Sequence, residues 1–87
     1  MQAENFVHLA VGRRYVVVKE FADFDGNLHP AGESWTYLGK NFVPYHDGLS
    51  LYVSPDGERE WQIRLQWLPE GQGPIIDDLE SYVRPAP

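Results

Sequence analysis

Five side chains that could take part in chemistry lie within eleven positions: Asp23, Asp25, Asn27, His29 and Glu33. Carboxylate and amide oxygens at alternate positions are the ligand pattern of a calcium loop. That pattern is incomplete here, because the glycine stands at the fourth position (Gly26) and the twelfth position is Ser34. His29 and Glu33 also have the types of a general base and the group that orients it. The loop site candidate therefore consists of Asp23, Asp25, His29 and Glu33.

A structural role explains the same residues without any reaction. Carboxylates in turns commonly accept hydrogen bonds from nearby backbone N–H groups, and a loop histidine can pack against the turn that it follows. Convergence of the four side chains within about 4–5 Å in one pocket would favour a site. Divergence into solvent would favour a protein-interaction role.

Other reactive groups form no recognisable pattern. The chain has no cysteine, which excludes a disulfide scaffold, a thiol nucleophile and an iron–sulfur site. The histidines show no H-x-x-x-H or H-E-x-x-H spacing, and no serine stands in G-x-S-x-G or S-x-x-K. Gly71–Gly73 precedes a helical pattern, but the acidic residues that follow would repel a phosphate there. We therefore expect no enzyme activity, no cofactor and no resident metal.

The net charge and the hydropathy of the chain exclude two classes of binding partner. Seven basic and thirteen acidic residues give a net charge of −6, whereas nucleic-acid affinity depends largely on Lys and Arg contacts to phosphate. No apolar stretch approaches the roughly 20 residues of a membrane helix, and the first nine residues show no signal peptide. We expect a cytoplasmic protein that binds neither nucleic acid nor membrane.

The elements that must position these residues are mostly strands. The 87 residues predict one domain. In it residues 1–11 form a lead-in that plugs the fold with Phe6 and Leu9, residues 12–68 form a small antiparallel barrel of about five strands, and residues 74–83 form a short helix. Arg13–Phe21 and Glu33–Phe42 are rich in β-branched and aromatic residues, which favours strands. Ile75, Leu79 and Val83 recur at helical spacing after Pro74.

Apolar residues occupy every second position in two segments joined by a turn at Ser54–Gly57: Leu49, Leu51 and Val53 in the first, and Trp61, Ile63, Leu65 and Trp67 in the second. A period of two predicts a hairpin with one apolar face and one solvated face. The solvated face and a tyrosine in the neighbouring turn mix aromatic, amide and guanidinium groups, which suit a protein interface. The expected partner-binding residues are Tyr45, Tyr52, Gln62, Arg64 and Gln66.

Three segments resemble a bacterial domain family of unknown function, numbered 3601. They are F-x-D-x-D-G-x-x-H-x-x-G-E-x-W (Phe21 to Trp35), F-x-P-Y-x-x-G-L-x-L (Phe42 to Leu51) and R-L-Q-W-x-P-E-x-Q-G (Arg64 to Gly73). The resemblance implies a small bacterial protein and supplies no activity, cofactor or catalytic residue. The spacing also resembles an SH3-like barrel in which Asp23–Gly32 is the long first loop, and fold alone does not give function.

Two functions remain open. The first is a non-enzymatic, acidic protein-interaction module that binds a protein partner, or a second copy, through an exposed sheet face or edge. An inhibitor or immunity protein that masks a basic partner is one form of it, and its partner surface should be apolar at the centre and basic at the rim. The second is a metal- or ligand-binding domain, or a small hydrolase, centred on the loop site candidate.

Overall fold

The computed structural model describes residues 8–43 and 47–87. Short strands, one helix and one 3₁₀ turn follow each other along the chain. They are β1 (Arg14–Val17), β2 (Phe21–Ala22), β3 (Leu28–His29), β4 (Ser34–Val43), β5 (Gly48–Ser54), β6 (Trp61–Gln66), α1 (Gly73–Asp77), a 3₁₀ turn (Leu79–Ser81) and β7 (Val83–Pro85). The predicted mostly-β class with a short helix near the C-terminus is confirmed.

Five strands form one antiparallel sheet in the order β6-β5-β4-β1-β7, and β2 and β3 form a separate two-stranded sheet. The sheet does not close into the expected barrel, since β6 and β7 remain its two edges in the described part of the chain. The expected first strand, Arg13–Phe21, is interrupted after Val17, where the chain leaves the sheet to build β2 and β3. No strand therefore joins β6 to β7 within the described residues.

The predicted hairpin is confirmed as β5 paired with β6, with Leu51 opposite Ile63 and Leu49 opposite Leu65. Its apolar face is buried against the rest of the core, which contains Trp35 from β4. Five apolar residues from β1, β5, β6 and the 3₁₀ turn are buried in this core: Val17, Leu51, Ile63, Leu65 and Leu79. In the lead-in, Leu9 packs against the core, while Phe6 lies outside the described residues.

The C-terminal segment differs from the helix expected over 74–83. Helix α1 ends at Asp77, because the φ of −133° at Asp78 is not helical, and after the 3₁₀ turn the chain forms β7. Strand β7 pairs with the open side of β1, with Val17 opposite Val83 and Tyr15 opposite Pro85. Pro85 suits this place, because a proline lacks the N–H that an interior strand would need. No helix in the described segments is long and apolar enough to cross a membrane.

Candidate functional site

The loop site candidate is built on the short β2–β3 hairpin. Phe21 lies opposite His29 in this pair, and the turn between the strands contains Gly26 at a φ of +84°, a conformation that suits glycine. Asp23 organises the turn with one carboxylate oxygen, because its Oδ1 accepts hydrogen bonds from the backbone N–H groups of Asp25 at 3.0 Å and Asn27 at 2.9 Å. The Asp23 carboxylate thus stabilises the turn through hydrogen bonds to the backbone, as is common for aspartate in such loops.

His29 lies between two carboxylates. Its Nε2 is 2.8 Å from Oδ2 of Asp23, and its Nδ1 is 2.7 Å from Oε2 of Glu33. An ionised carboxylate only accepts hydrogen bonds, whereas an imidazole nitrogen can donate or accept, so both short contacts have the geometry of hydrogen bonds between the ring and a carboxyl group. The same Oε2 of Glu33 accepts a hydrogen bond from the indole N–H of Trp35 at 3.1 Å. The four side chains form one connected chain of hydrogen bonds, named below the His29 network: Asp23, His29, Glu33 and Trp35.

The His29 network is buried. Asp23 is 4% exposed and His29 is 7% exposed, and the ring of Phe21 stacks on the imidazole with centroids 4.9 Å apart. Burial raises the pKa of the Asp23 carboxyl, but the hydrogen bonds from His29 and from the backbone of Asn27 and Asp25 outweigh it. The net pKa of Asp23 lies below its usual 3.8. The carboxylate of Asp23 is therefore held in its charged form.

The His29 network ties the side chains of the loop to one another. Both nitrogens of His29 already have a carboxyl partner, so a substrate would have to displace one of these partners to exchange a proton with the ring. Among residues 8–43 and 47–87, no group of three or more histidine, aspartate or glutamate side chains has the arrangement of a metal site. The network joins the β2–β3 hairpin to β4, which supplies Trp35.

Asp25, the fourth residue of the loop site candidate, does not join the others. Its Oδ1 lies 3.6 Å from a guanidinium nitrogen of Arg64 on β6. The same guanidinium lies over the ring of Phe24 at 5.2 Å, and the backbone N–H of Phe24 donates to the carbonyl oxygen of Arg64 at 2.7 Å. The tip of the loop is therefore tied to the edge strand of the main sheet.

The solvated face of the hairpin is present as expected. Tyr52 lies opposite Gln62, and Ser50 lies opposite Arg64, with the Gln62 amide donating to the Ser50 hydroxyl at 2.9 Å. Gly48 lies opposite Gln66, whose backbone N–H is bound by the side-chain oxygen of Gln72. Tyr45, the fifth expected partner-binding residue, lies outside the described residues.

The solvated face extends across the whole sheet and is called the outer face below. It consists of the strand positions that alternate with the core: Gln62, Arg64 and Gln66 on β6, Ser50 and Tyr52 on β5, Ser34 and Thr36 on β4, Arg14 and Val16 on β1, and Arg84 on β7. Arg14 lies across β4, donating to the Ser34 hydroxyl at 3.1 Å and to the Pro55 carbonyl at 3.0 Å.

Two features of these sites did not follow from the sequence. Trp35 was not included in the loop site candidate, although its spacing of two from Glu33 is that of side chains on one face of a strand. Phe24 was not selected at all, yet its backbone and ring both contact Arg64. The signal available in the sequence was an aromatic residue inside a polar turn. In the structure Phe24 is 49% exposed.

Three comparisons place the chain among known proteins. A family model described as Domain of unknown function (DUF3601) matches residues 2–85. None of the curated proteins matches the chain. Among solved structures, an integron cassette protein from the mobile metagenome of Vibrio cholerae is 39% identical, with a TM-score of 0.87 over 91% of this chain and 87% of that chain.

Proposed function

The chain belongs to the DUF3601 family, a domain of unknown function, and from this starting point we propose that it is a non-enzymatic protein-interaction module. The matched region contains the three motifs on which the resemblance in the sequence rests. The proposed binding surface is the outer face of the sheet, centred on Tyr52 and Arg64. The observation that carries the proposal is the distribution of charge over this face.

The outer face is basic in a protein whose net charge is −6. Its charged side chains in the described strands are Arg14, Arg64 and Arg84, with no carboxylate among those strand positions. The nearby acidic side chains lie in the loops, including Asp25 beside Arg64 and Asp56 in the β5–β6 turn. Complementary charge guides protein association and fixes its register. A partner should therefore place carboxylates opposite the arginines of the outer face. Its basic groups should lie opposite the acidic loops around that face.

Aromatic and aliphatic groups around the outer face supply contact area. Tyr52 is half-buried and lies opposite Gly39 on β4, which has no side chain to cover the ring. Phe24, whose ring lies under the Arg64 guanidinium, and Leu38 are large apolar residues that remain exposed. Tyrosine, tryptophan and arginine are the side chains enriched at the energetic centres of interfaces. The outer face thus combines anchors with guanidinium groups that can pair a carboxylate in a bidentate manner.

The second function, a metal- or ligand-binding domain or small hydrolase, depends on the loop site candidate. One feature of the contacts weighs against it: Asp23, His29 and Glu33 converge, but each ring nitrogen of His29 is already hydrogen-bonded to a carboxyl group. A ligand would have to displace these buried hydrogen bonds. Titration with Zn²⁺ or Ca²⁺, followed by calorimetry and by the His29 ring resonances, tests this alternative directly.

The interaction proposal is tested with a purified partner identified by affinity capture. The variant Tyr52→Ala combined with Arg64→Ala should weaken the dissociation constant about tenfold or more, while circular dichroism and thermal unfolding stay close to those of the parent. The matched control is Glu80→Ala, on the 3₁₀ turn and outside the strand positions of the outer face. Equal affinity for the parent, the control and a well-folded double variant would remove the outer face as the binding surface.

A further inference from the structure

The edge strand β6 has backbone groups that face out of the sheet. Four hydrogen bonds identify them. The Phe24 N–H donates to the Arg64 carbonyl, the N–H groups of Leu68 and Gln72 donate to the Gln66 carbonyl, and the Gln66 N–H donates to the side-chain oxygen of Gln72. In an antiparallel strand, outward-facing residues alternate with those bonded to the neighbouring strand. Gln62 must therefore also face outward. No hydrogen bond within residues 8–43 and 47–87 reaches its backbone N–H or carbonyl group.

The sequence of this edge is complementary to itself. If β6 of a second copy lay antiparallel to it with the two Gln62 residues opposite each other, each Gln62 N–H would donate to the other's carbonyl. In the same register Arg64 of each copy would lie opposite Glu60 of the other. Its carbonyl would accept the Glu60 N–H, and its guanidinium would meet the Glu60 carboxylate. Opposite charges directly across a strand pair stabilise the pairing.

The loop tip already supplies both contacts that Glu60 of a second copy would make. The Phe24 N–H occupies the Arg64 carbonyl at 2.7 Å, and the Asp25 carboxylate lies 3.6 Å from the Arg64 guanidinium. We propose that Phe24 and Asp25 form an edge guard, which prevents β6 from pairing with β6 of a second copy by satisfying Arg64 within one chain. This proposal shares Arg64 with the outer-face proposal, but its test measures self-association of the chain and not affinity for a partner, so the two proposals can fail separately.

The opposite edge supports the interpretation. On β7, the Val83 carbonyl is bound by Nε2 of His8 at 2.8 Å, and Pro85 has no N–H to offer. Covering loops and proline are the usual means by which proteins protect sheet edges from a second chain. On β6 the protection depends on the loop tip, and Asp23 and the His29 network hold that tip in place. The edge guard thus depends on the His29 network, which holds the loop tip in position.

The test removes the guard and measures self-association of the full chain. Phe24→Pro removes the N–H, and Asp25→Lys places a positive charge beside Arg64. By analytical ultracentrifugation, the double variant should form dimers at concentrations about tenfold or more below any self-association of the parent. Adding Gln62→Pro, which removes the central N–H, should restore the monomer. Glu80→Lys changes the net charge as Asp25→Lys does, and should leave the chain monomeric.

A second readout applies if the double variant fails to fold. The chain has no cysteine, so Gln62→Cys introduces a single thiol, and opposite residues in a strand pair lie within disulfide range. Adding Asp25→Lys to the Gln62→Cys variant should raise its rate of disulfide-linked dimer formation about tenfold. The control thiol is introduced by Ser50→Cys on β5, which is an interior strand of the sheet. Adding Asp25→Lys should not change the rate at which this control variant forms disulfide-linked dimers. Two results would overturn the proposal. The first is a folded Phe24→Pro, Asp25→Lys double variant that stays monomeric. The second is an equal rate of dimerisation of the Gln62→Cys variant with and without Asp25→Lys.

Discussion

Replacing His29 with alanine tests whether the His29 network stabilises the fold. The substitution leaves two carboxylates without their counter-ion, and the side chains of Asp23 and Glu33 are only 2% and 15% exposed. Removing one partner of a buried ion pair typically costs about 3–5 kcal/mol. We expect the lower end, about 3 kcal/mol, because Glu33 can regain some water. A domain of this size has about 4–13 kcal/mol in total, so the loss is a large fraction of its stability.

Urea unfolding followed by tryptophan fluorescence measures the loss. With a slope of about 1 kcal/mol per molar urea, the midpoint at pH 7 should fall by roughly 3 M. Asp25→Asn is the matched control, since it alters an exposed pair and should cost less than about 1 kcal/mol. A loss below about 1 kcal/mol for His29→Ala would refute the assignment of a structural role to the network.

The pH dependence gives a second, independent check of the same variant. The pKa of Asp23 is lowered on folding, so its contribution is fully present above the unfolded pKa of about 3.9. That contribution is lost as pH falls through the lower, folded value. The Asp23 contribution to the difference in free energy of unfolding between the parent and His29→Ala should therefore be complete at about pH 5 and shrink below pH 4. A difference that did not change with pH would show that packing against Phe21, and not charge, is what was lost.

Three further predictions concern the core, the alkaline limit and nucleic acid. Leu65→Ala removes a fully buried side chain from the hairpin and should cost about 2–5 kcal/mol in urea unfolding; less than about 1 kcal/mol would contradict its placement. Burial, with a smaller contribution from Tyr15, raises the pKa of Tyr37 to about 12. Stability should therefore hold up to about pH 10, decline towards pH 12, and decline less in Tyr37→Phe. Gel-shift assays near physiological salt should show no specific RNA or DNA complex, and a sub-micromolar, salt-sensitive complex would overturn the argument from the net charge of −6.

Local patterns predicted the parts of the fold that depend on neighbouring residues. Strict alternation identified β5 and β6, because burial on one face imposes a period of two that survives in the sequence. Strand β7 could not be found in this way. It is 3 residues long, its residues continue an apparent helical spacing, and its pairing with β1 joins residues from opposite ends of the described chain.

The sequence predicted which residues form the candidate site, but it did not predict how their side chains are arranged. Asp23, His29 and Glu33 were selected together, but their convergence depends on the register of β2 with β3, which places Phe21 opposite His29. Strands of two residues leave too little periodicity to predict such a register. Asp25 has the same side chain as Asp23, and only the path of the turn sends it to Arg64.

The place of β1 in the sheet sets an order for folding. Strands β4, β5 and β6 follow one another along the chain and pair with their neighbours, so each pairing closes only a short loop. Strand β1 pairs with β4 on one side and with the distant β7 on the other, and closing long loops costs entropy before any contact compensates it. The three-stranded meander should therefore form the nucleus, and β7 should dock last. Substitutions at Leu51 should slow refolding, whereas Val83→Ala should mainly accelerate unfolding, and a chevron plot with the opposite pattern would reverse this order.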